Sequence, residues 1–405
     1  MKEQIKKKKI VFVGMSGGVD SSASAALLQK QGYEVIGVFI RTWHPDFLEC
    51  NEEEERHDAM RVAAHLNIPF LTFDFTDVYK REVADYMISE YKAGRTPNPD
   101  VMCNKEVKFG AFFKKAISMG VDYVATGHYA QVFSCNKNSK NFPAFTLAGK
   151  RTGDPRLPEF LNFCLKKGID PSKDQSYFLW TLKQKQLSKI IFPVGNLEKS
   201  EVRKLAKKFK LPVAEKKDSQ GICCLGAVDL KDFLKHYIKE KKGKVINEKG
   251  DEIGWHNGAV FHTLGERHGF TITKKNSTDG PYYVVGKDIK KNILYVSQDR
   301  SYLQKGTDFS CCKNLPCSRQ SRSQVPFKDN FCLVMKDTNW ISEIPKESKN
   351  YTCQIRYHGE FLPCKLKIKG KTKVEIIFKK PILVASGQSC VVYDKDVCLG
   401  GGVVA

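Results

Sequence analysis

The segment Val11-Phe12-Val13-Gly14-Met15-Ser16-Gly17-Gly18-Val19-Asp20-Ser21-Ser22 constrains this chain more than any other. A short apolar run ends at a glycine, a Ser-Gly-Gly turn follows, and an acid and two serines lead into the helix-friendly run Ala23 to Lys30. The pattern predicts a strand, a tight loop and a helix start. Glycines let the backbone take positive φ and approach a ligand closely. Exposed N–H groups at the positive end of a helix suit a phosphate.

The chain beyond Lys30 alternates in the same way. Val35–Ile40 is a continuous apolar run, the mark of a strand buried on both faces. Glu52–Leu66 has helical spacing, Pro69–Phe73 reads as a third strand, and Val78–Tyr91 as a helix stopping at Gly94. A proline-rich loop, Gly94–Asp100, leads to a helix over Lys105–Met119, then to a strand over Val121–Thr126 ending at Gly127-His128. Such alternation implies an α/β fold with a doubly wound parallel sheet, whose ligands sit beyond the carboxyl ends of the strands. Ser134–Pro171 is a polar excursion, Asp174 is placed to cap a helix, and Lys199–Lys210 is a basic amphipathic helix.

After Asp229 the character changes to a short helix, Leu230–Lys241, and short strands: Val245–Ile246, Ala259–Thr263, Tyr282–Val285 and Ile293–Val296. From about Arg300 the chain is strand-like throughout. The expected organisation is a nucleotide-type α/β domain over 1–229, a small central mixed β domain over 230–300 and a C-terminal β-barrel over 301–405. A chain of 405 residues is long enough for two or three such cores.

The charge is lopsided. The 67 Lys+Arg against 45 Asp+Glu leave +22, which favours a polyanionic partner, nucleic acid first. No apolar run approaches the length of about 20 residues that spans a bilayer. Met1–Lys9 is a basic tail, not a signal peptide. The 14 cysteines include no Cys-x-x-Cys, so free thiols in a reducing compartment are expected, a cytoplasm first. Cys311, Cys312 and Cys317 lack a matching His/Cys pair at zinc spacing.

Two cysteines stand in activating surroundings. Cys103 follows the proline-rich loop, with Asp100 before it and Lys105 and Lys108 after it, at the expected helix N-terminus where a thiol pKa falls. Cys223 lies between Gly221 and Gly226, preceded by Lys216 and Lys217. Asp100 suits either proton transfer or a helix cap. No Walker A motif exists; Gly370-Lys371-Thr372 imitates only its end.

Ser16-Gly17-Gly18-Val19-Asp20-Ser21 resembles the pyrophosphate loop (PP-loop) of enzymes that cleave ATP to AMP. Together with Gly94–Asp100, Cys103-Asn104-Lys105, Lys108-Phe109, Ala125–Tyr129, Lys173–Leu179, Ser219–Cys223, Thr263-Leu264-Gly265, Tyr282–Asp288, Arg356-Tyr357 and Gly387-Gln388-Ser389, it makes the chain similar to the tRNA-specific 2-thiouridylase family nearly end to end. Four features depart from the family pattern: Ile40 for methionine, Cys224 for an aromatic, Glu266 for glutamine, and the long excursion.

The resemblance implies a PP-loop ATP pyrophosphatase fold and conversion of a wobble uridine in tRNA to 2-thiouridine. ATP, with Mg2+ as companion and no dedicated protein metal site, would bind along Gly14, Met15, Ser16, Gly17, Gly18, Val19, Asp20 and Ser21, with Ile40 near adenine and Gly127 at the nucleotide. Cys223 would carry a persulfide from a sulfur-donor protein and Cys103 would be its partner thiol. Asn98, Pro99 and Asp100 would meet the target base. His128, Lys173, Asp174, Gln175, Arg356, Tyr357 and Gln388 would contact tRNA. A monomer is expected. Adenylation makes the uracil C2 oxygen a leaving group; persulfide attack ending in a Cys103–Cys223 disulfide, or released hydrosulfide, both complete the exchange. The rival classes are a PP-loop C–N ligase acting on a small molecule and a non-catalytic RNA-binding module.

Overall fold

The structure is a computed structural model. It describes residues 8–48, 51–135, 162–218, 221, 223, 226, 229–274, 280–299, 331–370, 372–380 and 382–405. Ser219, Gln220, Ile222, Cys224, Cys311, Cys312, Cys317, the first seven residues and most of the polar excursion lie outside the described residues.

The first layer system is built on β1 (Ile10–Gly14), α1 (Val19–Lys30), β2 (Glu34–Arg41), α2 (Glu52–His65) and β3 (Phe70–Asp74). It continues with α3 (76–92), α4 (99–118), β4 (Tyr123–Ala125), β5 (Ala130–Ser134), β6 (Phe163–Lys167), β7 (Ile190–Ile191) and α5 (Lys199–Lys208). Five strands pair in parallel in the order β3-β2-β1-β4-β7. Phe12 of β1 faces one core, with Val38, Phe112 and Val124, while Val11 and Val13 face another, with Leu28 and Val62. Burial on both faces is why these strands read as unbroken apolar runs. Gly37 of β2 is required here, because a Cβ on it would lie 2.6 Å from the Met15 sulfur. That gap lets the Met15 side chain anchor the glycine loop in the sheet.

Two helices differ from expectation. α3 and α4 each contain a wider π-type stretch, Lys80–Asp85 and Cys103–Phe112. Such stretches recur at functional sites. α4 also begins at Pro99, earlier than expected, with Asn98 as its cap: Asn98 Oδ1 accepts the Val101 N–H at 3.0 Å. Cys103 is therefore more than a turn inside the helix, not at its N-terminus. Proline at the first helical position explains the earlier start.

After α6 (Leu230–Lys235), five strands form a second, mixed sheet: β8 (Gly243–Ile246), β9 (Glu252–His256), β10 (Phe270–Ile272), β11 (Tyr283–Asp288) and β12 (Ile293–Ser297). Their order is β10-β9-β8-β12-β11. The strand expected over Ala259–Thr263 is instead a 3-10 turn, Ala259–Phe261, entered through Gly258 at φ 149°. That backbone setting favours glycine and interrupts pairing.

The C-terminal barrel comprises β13 (Phe331–Trp340), β14 (Tyr351–Gln354), β15 (Leu362–Ile368), β16 (Val374–Phe378), β17 (Ser389–Asp394) and β18 (Val397–Val404). It closes through β13–β18 pairing. The hairpin β5–β6, from the ends of the polar excursion, extends this sheet: β18 pairs with β6 at Val397↔Lys166 and Cys398↔Leu165. Cys135 and Cys164 at that hairpin form a disulfide, which corrects the expectation of free thiols throughout for this pair. Cys164 sits opposite Phe133 in the antiparallel ladder, so Cys135 two residues on is within reach.

Trp180 secures the junction. It is 4% exposed, its Nε1 donates to Ser389 Oγ at 3.2 Å, and a Cβ on Gly401 of β18 would lie 3.2 Å from its ring. Asp174 does not cap a helix: the short 3-10 helix Ser176–Leu179 has Gln175 as its N-cap with no side-chain cap bond, while Asp174 Oδ1 accepts the Ser176 N–H at 3.0 Å. From that helix Tyr177 Oη donates to Ser389 O at 2.8 Å. Truncating a buried tryptophan costs about 3–5 kcal/mol. Trp180→Ala should lower the thermal midpoint by several degrees and Trp180→Phe by less, measured by calorimetry; equal midpoints for wild type and Trp180→Ala would remove this junction role.

Candidate active site

The loop between β1 and α1 is organised by its serines. Ser21 Oγ accepts the Ser16 N–H at 3.2 Å and donates to Gly18 O at 3.2 Å, while Ser22 Oγ donates to Gly18 O at 2.8 Å. Gly17 has φ 70°, and a Cβ on it would lie 2.3 Å from Glu55 O, so this position needs glycine on two counts. Gly18 caps α1 without any side-chain cap bond. The first N–H groups of a twelve-residue helix therefore face the cleft, where an anion suits them.

Gly127 follows β4, the neighbour of β1. A Cβ there would lie 2.7 Å from Ser21 N and 2.8 Å from Asp20 C. Glycine at 127 thus lets the two strand ends meet under the loop.

A cleft of about 950 Å³ runs from this loop to Cys223. Of the residues picked out in the sequence, it is lined by Gly14, Met15, Ser16, Gly18, Val19, Asp20, Ser21, Ile40, Asp100, Gly127, His128, Lys173, Gln175, Cys223 and Tyr357. Gly17 turns away toward α2. Asn98 caps α4 and Pro99 starts it, next to the cleft but not lining it. Asp174 is turned inward, its Oδ1 accepting Gly168 N and Ser176 N, each at 3.0 Å. Arg356 is exposed and Gln388 half-buried, on the barrel side. The barrel reaches the site because Thr96 N donates to Ser386 O at 2.8 Å, beside Gly387.

The far end holds the thiols. Cys103 and Cys223 lie with sulfurs 3.3 Å apart, although 120 residues separate them. Cys223 is docked at its backbone: its N–H donates to Asp100 Oδ1 at 2.8 Å, and Tyr79 Oη donates to Cys223 O at 2.6 Å. Cys103 is fully buried, whereas Cys223 is half-buried and faces the cleft. Asp100 is free for this contact because Asn98, not Asp100, caps the helix.

Burial of the Asp100 carboxyl, with Cys223 beside it, pushes its pKa up to about 6, against the pull of the Cys223 N–H and Lys108. Proton exchange near neutral pH is the consequence. His128 is buried, with Nδ1 2.7 Å from Thr126 Oγ1 and its ring against Phe109 and Phe192. Burial, reinforced by Lys108, pushes its pKa down to about 3, so it acts as a neutral hydrogen-bonding group. Tyr357 lies against Phe178, ring centroids 4.4 Å apart, and presents an aromatic surface to the cleft.

Sequence reading overlooked a charge cluster at the mouth. Lys199 Nζ binds Asp20 Oδ1 and Oδ2 at 2.7 and 2.8 Å, and Asp218 Oδ1 at 2.9 Å. Tyr129 Oη donates to Asp20 Oδ1 at 2.8 Å. Lys199 looked like any other lysine of a basic helix; nothing in that spacing distinguishes it. Lys204 and Lys207 of the same helix are exposed, and Lys207 pairs with Glu215 at 2.9 Å.

A parallel α/β sheet with a glycine loop at its carboxyl edge, followed by a mixed sheet and a closed barrel, defines a PP-loop class of three-part protein. Family models match the parts in turn: a tRNA methyl transferase HUP domain over 9–227, a tRNA methyl transferase PRC-barrel domain over 231–298, and an aminomethyltransferase beta-barrel domain over 330–404. The chain is 40% identical over 410 residues to the tRNA-specific 2-thiouridylase MnmA of Shigella dysenteriae, covering 100% of this chain and 98% of that one. It is 41% identical over 398 residues to the protein of the same name from Streptococcus mutans, covering 97% and 94%. A solved 4-thiouridine synthetase–RNA complex with bound ATP is more distant, at 18% identity and a TM-score of 0.32 over 53% of this chain and 44% of that one. The chain belongs to the tRNA-specific 2-thiouridylase MnmA family.

The raised Asp100 pKa has a sign that can be checked. Its folded value, about 6, exceeds an unfolded value of about 3.9, so the folded state holds a proton that the unfolded state releases. That contribution is fully present below about pH 4 and is lost as pH rises through about 6. Asp100→Asn keeps an acceptor for the Cys223 N–H but does not titrate. The stability of wild type relative to Asp100→Asn should therefore fall between pH 4 and 7 in urea titrations. Parallel curves would refute the assignment.

Proposed function

We propose that this protein is an ATP-dependent tRNA uridine 2-sulfurtransferase. The observation that carries the reading is the thiol pair, sulfurs 3.3 Å apart, at the opposite end of one cleft from the glycine loop. A ligase of small molecules needs the loop but has no use for the pair. The word methyl in the family-model descriptions finds no counterpart in paired thiols, and the relatives' name fits them. The net charge of +22 suits an RNA substrate.

ATP would lie along Gly14–Ser21 and toward Ile40, its phosphates on the uncapped start of α1. Mg2+ would accompany the triphosphate; among the described residues no group of three or more His, Cys, Asp and Glu is placed to hold a metal. The uridine O2 attacks the α-phosphorus and pyrophosphate leaves. The half-buried Cys223 is the thiol a donor protein can reach, so it carries the persulfide. The terminal sulfur attacks C2. Cys103 then attacks the Cys223 sulfur, the persulfide S–S bond breaks, and its electron pair stays on the transferred sulfur as AMP departs. Asp100 takes up or returns the proton. The resulting Cys103–Cys223 disulfide needs an external thiol reductant each cycle, which suits a reducing cytoplasm. Hydrosulfide release, the other route, also leaves that disulfide; the sulfur contact favours direct attack.

The target base must leave its stack to reach this depth. Asn98, Pro99 and Asp100, where α4 begins, are the proposed contacts to it, and Tyr357 offers a ring on which a base can stack. Lys173, Gln175, His128 and, from the barrel side, Arg356 and Gln388 are the proposed tRNA contacts, with Asp174 holding Gly168 and Ser176 in place. Among the described residues no helix is long and apolar enough to cross a membrane.

With ATP, tRNA and a persulfide donor, nucleoside mass spectrometry should detect 2-thiouridine. Cys223→Ser and Cys103→Ser should each lower its formation by roughly a hundredfold or more while tRNA-dependent pyrophosphate release persists, as expected when one member of a catalytic unit is removed. Full activity of Cys223→Ser would sink the mechanism. Gly127→Ala, which forces the loop to shift, should raise the KM for ATP in the same assay; an unchanged KM would dissociate Gly127 from nucleotide binding.

A further inference from the structure

Among the described residues, Asn104 alone both lines the cleft and keeps a buried side-chain polar atom without a hydrogen-bond partner. It directly follows Cys103, in the π-type stretch of α4, and is 3% exposed. Asp100, Asn104 and Lys108 succeed one another every fourth residue along α4, and all three line the cleft. Asn104 Nδ2 donates to Asp100 O at 2.9 Å, while its Oδ1 is the unpartnered atom. The orientation of the amide is therefore fixed. Only the NH2 can donate to the Asp100 carbonyl, and a flip would set Oδ1 against that carbonyl oxygen. An unpaired buried acceptor is costly, so a group that supplies a donor to it gains accordingly.

We infer that Asn104 Oδ1 accepts the N3–H of the target uracil and is the residue that selects uridine over cytidine. The inference deepens the sulfurtransferase reading, on which it rests for the identity of the substrate base. C2, the carbon whose oxygen is exchanged, has two neighbours in the ring. N1 carries the ribose, so N3 is the free one. A uracil that turns C2 toward the Cys103–Cys223 pair brings its N3–H beside residue 104. Cytosine carries a bare lone pair at N3. Against Oδ1 it would set two acceptors face to face, and the amide held by Asp100 O cannot turn its NH2 outward to meet it. Oδ1 is already shielded from solvent, so the N3–H displaces no water from it. A hydrogen bond made in such surroundings is electrostatically stronger than one in water. The base parts the cleft wall beside Asn104 as it enters, which makes the acceptor available to a flipped base and not to bulk water.

The test compares tRNA transcripts that differ only at the wobble position, which carries uridine, cytidine or 3-methyluridine. Their affinities for the full-length protein are measured by filter binding in the presence of α,β-methylene-ATP, which cannot release pyrophosphate. Wild type should bind the uridine RNA about tenfold more tightly than the cytidine RNA, as expected when a buried acceptor is denied its donor. The 3-methyluridine RNA should bind at least as weakly as the cytidine RNA, because its methyl replaces the N3–H and meets Oδ1. In Asn104→Ala the uridine and cytidine RNAs should bind equally. The 3-methyluridine RNA should match them there, since the methyl enters the space the amide leaves. Asn104→Ser lacks the amide oxygen and should lose the preference as well, which keeps the test decisive where Asn104→Ala does not fold. Equal binding of the three RNAs by wild type overturns the inference, and so does a full uridine preference in either variant. A uridine preference that depends on Asn104, with no thiouridine formed in the complete reaction, would instead count against the sulfurtransferase reading alone.

Discussion

The contact on which the site depends is the docking of the Cys223 backbone onto Asp100. One N–H···carboxylate bond of 2.8 Å holds Cys223 against a helix turn, with the two sulfurs 3.3 Å apart. The bond is possible because Asn98 takes over the capping of α4 and leaves Asp100 unoccupied by that role. It is durable because Tyr79, from a different helix, holds the carbonyl on the other side of the same residue. Burial of the carboxylate makes the bond matter more, since an unpaired buried acceptor is costly.

In the proposed reaction the two thiols divide the work by exposure. A buried thiol with no solvent path cannot accept sulfur from another protein, and a half-buried one facing a cleft can. A pair in contact needs little motion to pass from persulfide to disulfide, so the geometry favours transfer within the pair over loss of sulfur to water. At the opposite end of the cleft, the glycine loop relies on a different arrangement. Two serine hydroxyls converge on the Gly18 carbonyl, and the helix start is left open for an anion. The barrel side then adds Tyr357 to the wall. The Ser386–Gly387 turn docks on the loop before α4, where a side chain on residue 387 would collide with Arg95 and Thr96.

Much of this was legible in the chain. The apolar runs of β1 and β2, the Ser-Gly-Gly loop and the order of strands and helices follow from local periodicity, which burial on two faces imposes directly. Cys103, Cys223 and Asp100 were visible as chemistry-bearing residues next to glycine, proline and lysine. The start of α4 was misplaced because Asn98 and Asp100 are equally good caps on paper, and only packing decides between them. The turn at Ala259 is not legible, because short apolar runs do not distinguish a turn from a strand. Cys135 and Cys164 gave no pairing signal, since their nearness comes from the register of β5 on β6.

Lys199 and Asp218 were illegible for a deeper reason. A salt bridge between residues in different elements leaves no trace in local spacing, and a lysine in a basic helix looks solvated whichever way it points. The sequence by itself determined the class of chemistry, because the glycine loop and the two thiols are local patterns whose residue types the reaction demands. Only the tertiary structure decided that the thiols touch, which of them is accessible, and that the nucleotide loop and the thiol loop share an ion bridge. Those are long-range contacts, set by how the sheet, the helices and the barrel close on one another.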